Sequence, residues 1–319
     1  MLGEMLRVAS LLAAAAVALA LAAPASAAQL LARDASKVSI KVDKQQRAVV
    51  YYSIGGRQKA AAVWGAINAR PPSQTRNQVE FKVDYSGGFK RLGTPLHKNI
   101  KNVCGRYRGP QLPWFVAGCS APDGSHWALQ SFQRLLPNLG LAPWLPGQRA
   151  WELWVSHWKG DLPQFEAYAG WFGSRKFHQV FGRLTYQGVP VHGFKASSTG
   201  VPLDSYGRLI YLDVFNSALG SGWKRENSFL ARQPTGHYCY GFFQRNRYSW
   251  YPKGPPSPPA NGEKYRLTAG GPGVTPFVAK VIDGLPDFNP SNQQLVAIDT
   301  QTAQIRRALI SEPACFNQG

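Results

Sequence analysis

The amino-acid sequence predicts an all-β, mainly antiparallel fold, either a sandwich or two packed sheets, with one short helix near residues 125–136. Three observations carry this. Short apolar–polar alternations recur along the chain, turn signals separate them about every ten residues, and only one stretch shows helical spacing of its apolar residues. Hydrophobic residues make up 44% of the 319 residues and charged ones 17%, which excludes a disordered polar chain and a coiled coil.

Residues 1–27 read as a secretory signal peptide. Arg7 is the one base of its leading segment, Val8 to Ala23 is almost entirely Ala, Leu and Val, and Ala25-Ser26-Ala27 offers a small-x-small cleavage pattern. Residues 28–319 then form one β-rich domain, with a basic N-terminal subdomain at 28–110 packed on 111–319 as its expected division. With no second long apolar segment, no membrane span is expected after cleavage.

Within the mature chain, Val38–Val42 and Val79–Val83 alternate apolar and polar. Arg47 to Ala69 is largely apolar and split by Gly55-Gly56, as a buried hairpin would be. Asp84 to Gly88 marks a turn. The helix is placed after an Asp123 or Ser125 cap, because Ala128, Leu129, Phe132, Leu135 and Leu136 share one helical face and Pro137 and Gly140 end it. Gln179–Tyr186 and Val189–Phe194 flank Gln187-Gly188 as a tight hairpin. Arg208–Phe215, His237–Phe243, Lys264–Thr268 and Gln294–Asp299 read as further strands. Pro252 to Pro259, with five prolines in eight residues, reads as an exposed loop.

The four cysteines, Cys104, Cys119, Cys239 and Cys315, imply two disulfides in an exported chain. Of the three connectivities, Cys104–Cys119 and Cys239–Cys315 are favoured: the first closes a short Gly- and Pro-containing loop and the second fastens the C-terminal tail. A four-cysteine metal site would show close C-x-x-C pairs, and the sequence has none. The histidines, His97, His126, His157, His178, His192 and His237, form no metal-binding spacing, and no G-x-S-x-G elbow is present. No cofactor and no metal are therefore expected.

Two features point toward binding. The formal net charge is +19. Residues 28–110 hold 16 bases and 4 acids, including Lys82, Lys90, Arg91, Lys98, Lys101, Arg106 and Arg108 among Tyr85, Phe89 and Tyr107. Such a patch attracts polyanions, and export favours envelope or matrix polymers over a specific nucleic acid, for which no fold signature exists. The second feature is Trp151, Trp154, Trp158 and Trp171, four indoles in 21 residues. As a strand, Trp151, Leu153, Val155 and His157 share one face and Glu152, Trp154, Ser156 and Trp158 the other. Two rings beside an acid suit a sugar, whose C–H face stacks while its hydroxyls bond the carboxylate.

The sequence thus favours a secreted or envelope-located, disulfide-stabilised, non-catalytic binder of anionic or glycan polymers. One alternative is a glycan hydrolase using Glu152 and Glu166, whose carboxyls would have to lie about 5–10 Å apart. The other is a structural or partner-binding envelope protein. The oligomeric state is not legible.

Overall fold

The structure, a computed structural model, describes residues 28–70, 79–133, 151–191, 194–196, 202–204, 210–217, 220–225, 230–232, 235–242, 261–271, 273–310 and 315. The signal segment, Leu135 to Gly140 and Pro252 to Pro259 lie outside these residues. The all-β class holds, with most strands paired antiparallel in four main sheets.

The first half contains β1 (Gln29–Arg33), β2 (Ser36–Val42), β3 (Ala48–Ile54), β4 (Arg57–Trp64) and β5 (Lys82–Asp84). Two four-residue helices follow, α1 (Phe89–Leu92) and α2 (Leu96–Asn99), then β6 (Gly105–Arg106), β7 (Phe115–Ser120), β8 (His126–Gln133) and β9 (Trp151–Trp158). Strands β2-β3-β4-β5 form one sheet and β1-β9-β8-β7-β6 a second. The expected hairpin turns at Gly55-Gly56. Val42, Ala48, Val50, Ala61 and Val63 of the first sheet meet Trp127, Leu129, Leu153 and Val155 of the second in one buried core. This is the first sandwich, and residue 110 falls inside it, between β6 and β7, which pair with each other.

The second half contains β10 (Gln164–Phe172), β11 (Phe177–Tyr186), β12 (Val189–Pro190), β13 (Phe194–Ala196), β14 (Pro202–Asp204), β15 (Ile210–Ser217) and β16 (Gly220–Arg225). It continues with β17 (Leu230–Arg232), β18 (His237–Gly241), β19 (Gly262–Gly270), β20 (Phe277–Asp283) and the helix α3 (Gln293–Leu309). Sheets β10-β11-β18-β17 and β16-β15-β19-β20 pack through Ala167, Val180, Tyr238 and Tyr240 on one side and Leu212, Val214, Tyr265 and Leu267 on the other. The β11–β12 hairpin turns at Gln187-Gly188, as expected. Helix α3 covers the far face of the β10–β11 sheet, where Ile305 and Leu309 meet Tyr168, Phe181 and Cys239. Both favoured disulfides are present, and Cys239–Cys315 ties the chain beyond α3 to that sheet. Among the described residues no helix is long and apolar enough to cross a membrane.

Two element types differ from expectation. The helix near 125–136 is instead strand β8, paired residue by residue with β9. Asp123 does not cap a helix: its Oδ1 accepts from the backbone N–H and hydroxyl of Ser125, closing the tight turn between β7 and β8. Both faces of β8 are buried, Trp127 and Leu129 in the first core, Ala128 and Phe132 in contacts beyond it. Apolar residues on both faces of a strand mimic helical spacing. Conversely, Gln294–Asp299 lies in α3 rather than a strand. The Asn292 side chain accepts from the N–H groups of Gln294 and Leu295 and starts the helix, overriding the strand tendency of Val296 and Ile298.

The two sandwiches meet at a seam. Phe132 and Trp154, on the outer face of the β8–β9 sheet, pack against Phe277 of β20 with ring centroids 5.0 and 5.1 Å away. The buried Gln130 side chain bonds there like a piece of strand. Its Oε1 accepts from the Phe277 N–H and its Nε2 donates to the Phe277 and Pro113 carbonyls, each at 2.9 Å.

Candidate functional site

A cleft of about 220 Å³ opens at this seam. Trp114, Phe132, Gln133 and Trp151 line it from the first sandwich, and Asp213, Trp223, Arg266 and Thr268 from the second. Strand register explains the second wall. Leu212, Val214, Tyr265 and Leu267 point into the second core, so Asp213 and Arg266, directly opposite each other on β15 and β19, project from the other face. Trp223 reaches the same face from β16, which pairs with β15 across Phe215.

Arg266 organises the cleft. Its Nε and Nη2 both donate to Asp213 Oδ2, at 3.1 and 2.9 Å. Its guanidinium lies 4.5 Å from the Trp223 ring centroid and 5.6 Å from that of Trp114. Cation–π contact and the ion pair hold three side chains from distant parts of the chain in one arrangement. Asp213 is buried and Arg266 half-buried, so the pair is largely withdrawn from water while the indoles present their surfaces.

Trp114 adds an unusual backbone. Its φ is 52°, left-handed, which a bulky residue rarely adopts and which costs about 1–3 kcal/mol. The conformation is held by β8: Ser131 N–H donates to the Trp114 carbonyl at 2.9 Å, and Gln130 binds the preceding Pro113 carbonyl. This conformation sets the indole at the cleft, tilted at 39° to the Phe132 ring with centroids 5.0 Å apart.

Of the four predicted indoles, only Trp151 reaches this cleft, where it is 49% exposed. The strand reading of 151–158 is right, but both faces of β9 are covered, one by the first core and the other in part by the seam. Trp154 is buried at the seam and Trp158 beneath Tyr107 and His126. Trp171 is buried too, its Nε1–H donating to the Pro286 carbonyl at 3.1 Å. A buried ring offers no stacking face to a sugar. Glu152 and Glu166 lie on strands that do not pair with each other, β9 pairing with β1 and β8 and β10 with β11, and neither acid lines the cleft. Glu152 is buried beside Arg33, 3.5 Å away, and Glu166 lies opposite Arg183. The residues missed were Trp114, Phe132, Gln133, Trp223, Arg266 and Thr268. No spacing links them, since they meet only through the packing of separate sheets.

The predicted cations are all exposed: Lys82, Lys90, Arg91, Lys98 and Lys101. They lie on β5, α1, α2 and the segment after it, away from the cleft.

One constellation resembles nucleophilic machinery but lacks its access. Ser125 Oγ lies 2.7 Å from Asp123 Oδ1 and 3.0 Å from His157 Nε2, and His157 Nδ1 donates to the Ala66 carbonyl at 2.7 Å. Burial lowers the His157 pKa to about 4, so the ring is neutral at pH 7, stacked 3.9 Å from Trp127. Ser125 is fully buried, which leaves no place for a substrate beside its oxygen. Among the described residues no three His, Cys, Asp or Glu side chains converge as metal ligands. No family model, curated protein or solved structure matches this chain.

Proposed function

We propose that the protein is a non-catalytic binder of glycan polymers of the cell envelope or matrix, and that the seam cleft holds one sugar ring of the polymer. The observation that carries this is the set of three indoles around a mutually neutralised Asp213–Arg266 pair. Indole faces suit the C–H side of a pyranose, and the partly exposed Arg266 and Gln133 supply polar groups for its hydroxyls. The pair carries no net charge, which favours a neutral ring over an acidic one. The volume falls below the roughly 300–1,000 Å³ of pockets that enclose a whole ligand, in keeping with a single unit of a chain that continues into solvent. Asp213 is the one carboxylate among the cleft's lining residues, whereas glycoside hydrolysis generally uses two. Two disulfides are compatible with an extracellular setting.

The test is tryptophan fluorescence titration with neutral hexose and N-acetylhexosamine oligosaccharides. Saturable binding that Trp223→Ala weakens at least ten-fold is the expected outcome. Binding that Trp223→Ala and Trp151→Ala leave intact, or none up to millimolar sugar, overturns the assignment.

A further inference from the structure

The outer face of the first sandwich carries a second surface, unrelated to the cleft. Val49 and Ala62 are buried there beneath α1 and α2, packed against Leu96 of α2, with Tyr51, Ala60, Trp64, Leu92 and Ile100 around them. Register puts Lys41 (opposite Val49) and Lys82 (opposite Trp64) on this same face, and Lys90, Arg91, Lys98 and Lys101 stand exposed on or beside the helices. From Lys82 to Arg108 the sequence has seven Lys and Arg and a single acid, Asp84. That acid is buried and directed inward, its Oδ1 accepting from the Ser86 N–H and hydroxyl and its Oδ2 from the Arg91 N–H. These bonds hold its carboxyl below the usual carboxylate range although burial opposes them. No exposed acid in that stretch offsets the cations.

The same bonds build a rigid knob. Gly87 and Gly88 take φ of 70° and 107°, and a Cβ on either would strike the His97 ring or the Thr94 carbonyl. Beyond this turn Phe89 stands 65% exposed, whereas Tyr85 turns toward the second sheet, its hydroxyl donating to the Leu30 carbonyl at 3.5 Å. No other large apolar side chain among the described residues is as exposed. Phe89 has no polar atom. A hydrated polyanion would engage the lysines and leave that ring in water, whereas a bilayer offers phosphates at its surface and an apolar layer just beneath.

We propose that this face docks on anionic phospholipid bilayers, with Phe89 entering the headgroup region and the surrounding Lys and Arg side chains engaging lipid phosphates. The test is sedimentation of the full chain with phosphatidylcholine vesicles containing or lacking 30% phosphatidylglycerol. The expected result is binding to the anionic vesicles alone, weakening as salt rises through the physiological range. Phe89→Ser should weaken it about ten-fold, and Phe89→Leu, which keeps the apolar volume, should not. Lys90→Gln with Arg91→Gln should weaken it about thirty-fold. Failure to bind anionic vesicles overturns the proposal. So does binding that Phe89→Ser leaves unchanged, and so does retention on heparin, as a soluble polyanion, without vesicle binding.

Discussion

The two sandwiches are closed in different ways. The first is closed locally: Cys104–Cys119 joins residues 15 apart beside the β6–β7 pair, and among the described residues no long helix covers its outer face. The second is closed at long range: Cys239–Cys315 spans 76 residues and draws the chain beyond α3 back onto the β11–β18 sheet. There the guanidinium of Arg306 donates to the Trp171 carbonyl and to Gln179 Oε1, at 3.2 and 2.8 Å. A sheet face covered by chain from far along the sequence has more conformational freedom to lose on folding. A cross-link there removes more of it from the unfolded state.

That contrast sets the largest expected effect. Replacing Cys239 and Cys315 together by Ser should lower the unfolding free energy by about 4.5 kcal/mol, against about 3 kcal/mol for Cys104 and Cys119, on a loop-entropy scale. Urea unfolding of the two double variants measures the difference, and an equal loss from both would break the comparison.

Acid should erode both halves alike. Among the described residues each holds one buried histidine, neutral at pH 7: His157 in the first, and His178 in the second, bonded to the Tyr265 hydroxyl. Burial lowers both pKa values to about 4, against about 6.5 in the unfolded chain. As pH falls from 6.5 the unfolded chain takes up protons first, so stability that is full above 6.5 is lost toward pH 4, by at most roughly 3 kcal/mol per residue. His157→Gln and His178→Gln should each flatten the acid limb of a stability–pH profile by a similar amount. A strongly unequal response would show that one half carries most of the acid sensitivity.

The smallest effect sharpens the account of the seam. Trp114→Gly should be more stable than Trp114→Ala by about 1 kcal/mol, reversing the usual order, because only glycine adopts φ of 52° without strain. Thermal unfolding of the two variants checks it, and the usual order would remove strain from the description of Trp114.

Local chemistry was legible in the sequence and the assembly of sheets was not. Gly55-Gly56 and Gln187-Gly188 announce hairpins because the turn conformation is a property of those residues alone. The cysteine pairing was readable because loop composition and chain end constrain it. Strand β8 was misread because sheets on both sides bury it, and a strand buried on both faces loses its period of two. The start of α3 was missed because Asn292 stands among turn residues, where capping and turn roles use the same side chain. Trp151 was singled out with three indoles that prove to be buried. Its real neighbours, Trp114, Trp223 and Arg266, are brought to it by a contact between sheets that no spacing records.

The cleft has four lining residues from each sandwich, and Gln130 is the buried polar side chain that spans the seam beside it. Neither half owns a complete wall. Whatever occupies the cleft therefore binds the docked pair and not the separated halves, and by mass action it must tighten their association by as much as docking strengthens its own affinity. Occupancy and the mechanical cohesion of the molecule are then one equilibrium read from two ends, and a pull that parts the sandwiches is also a pull that empties the cleft.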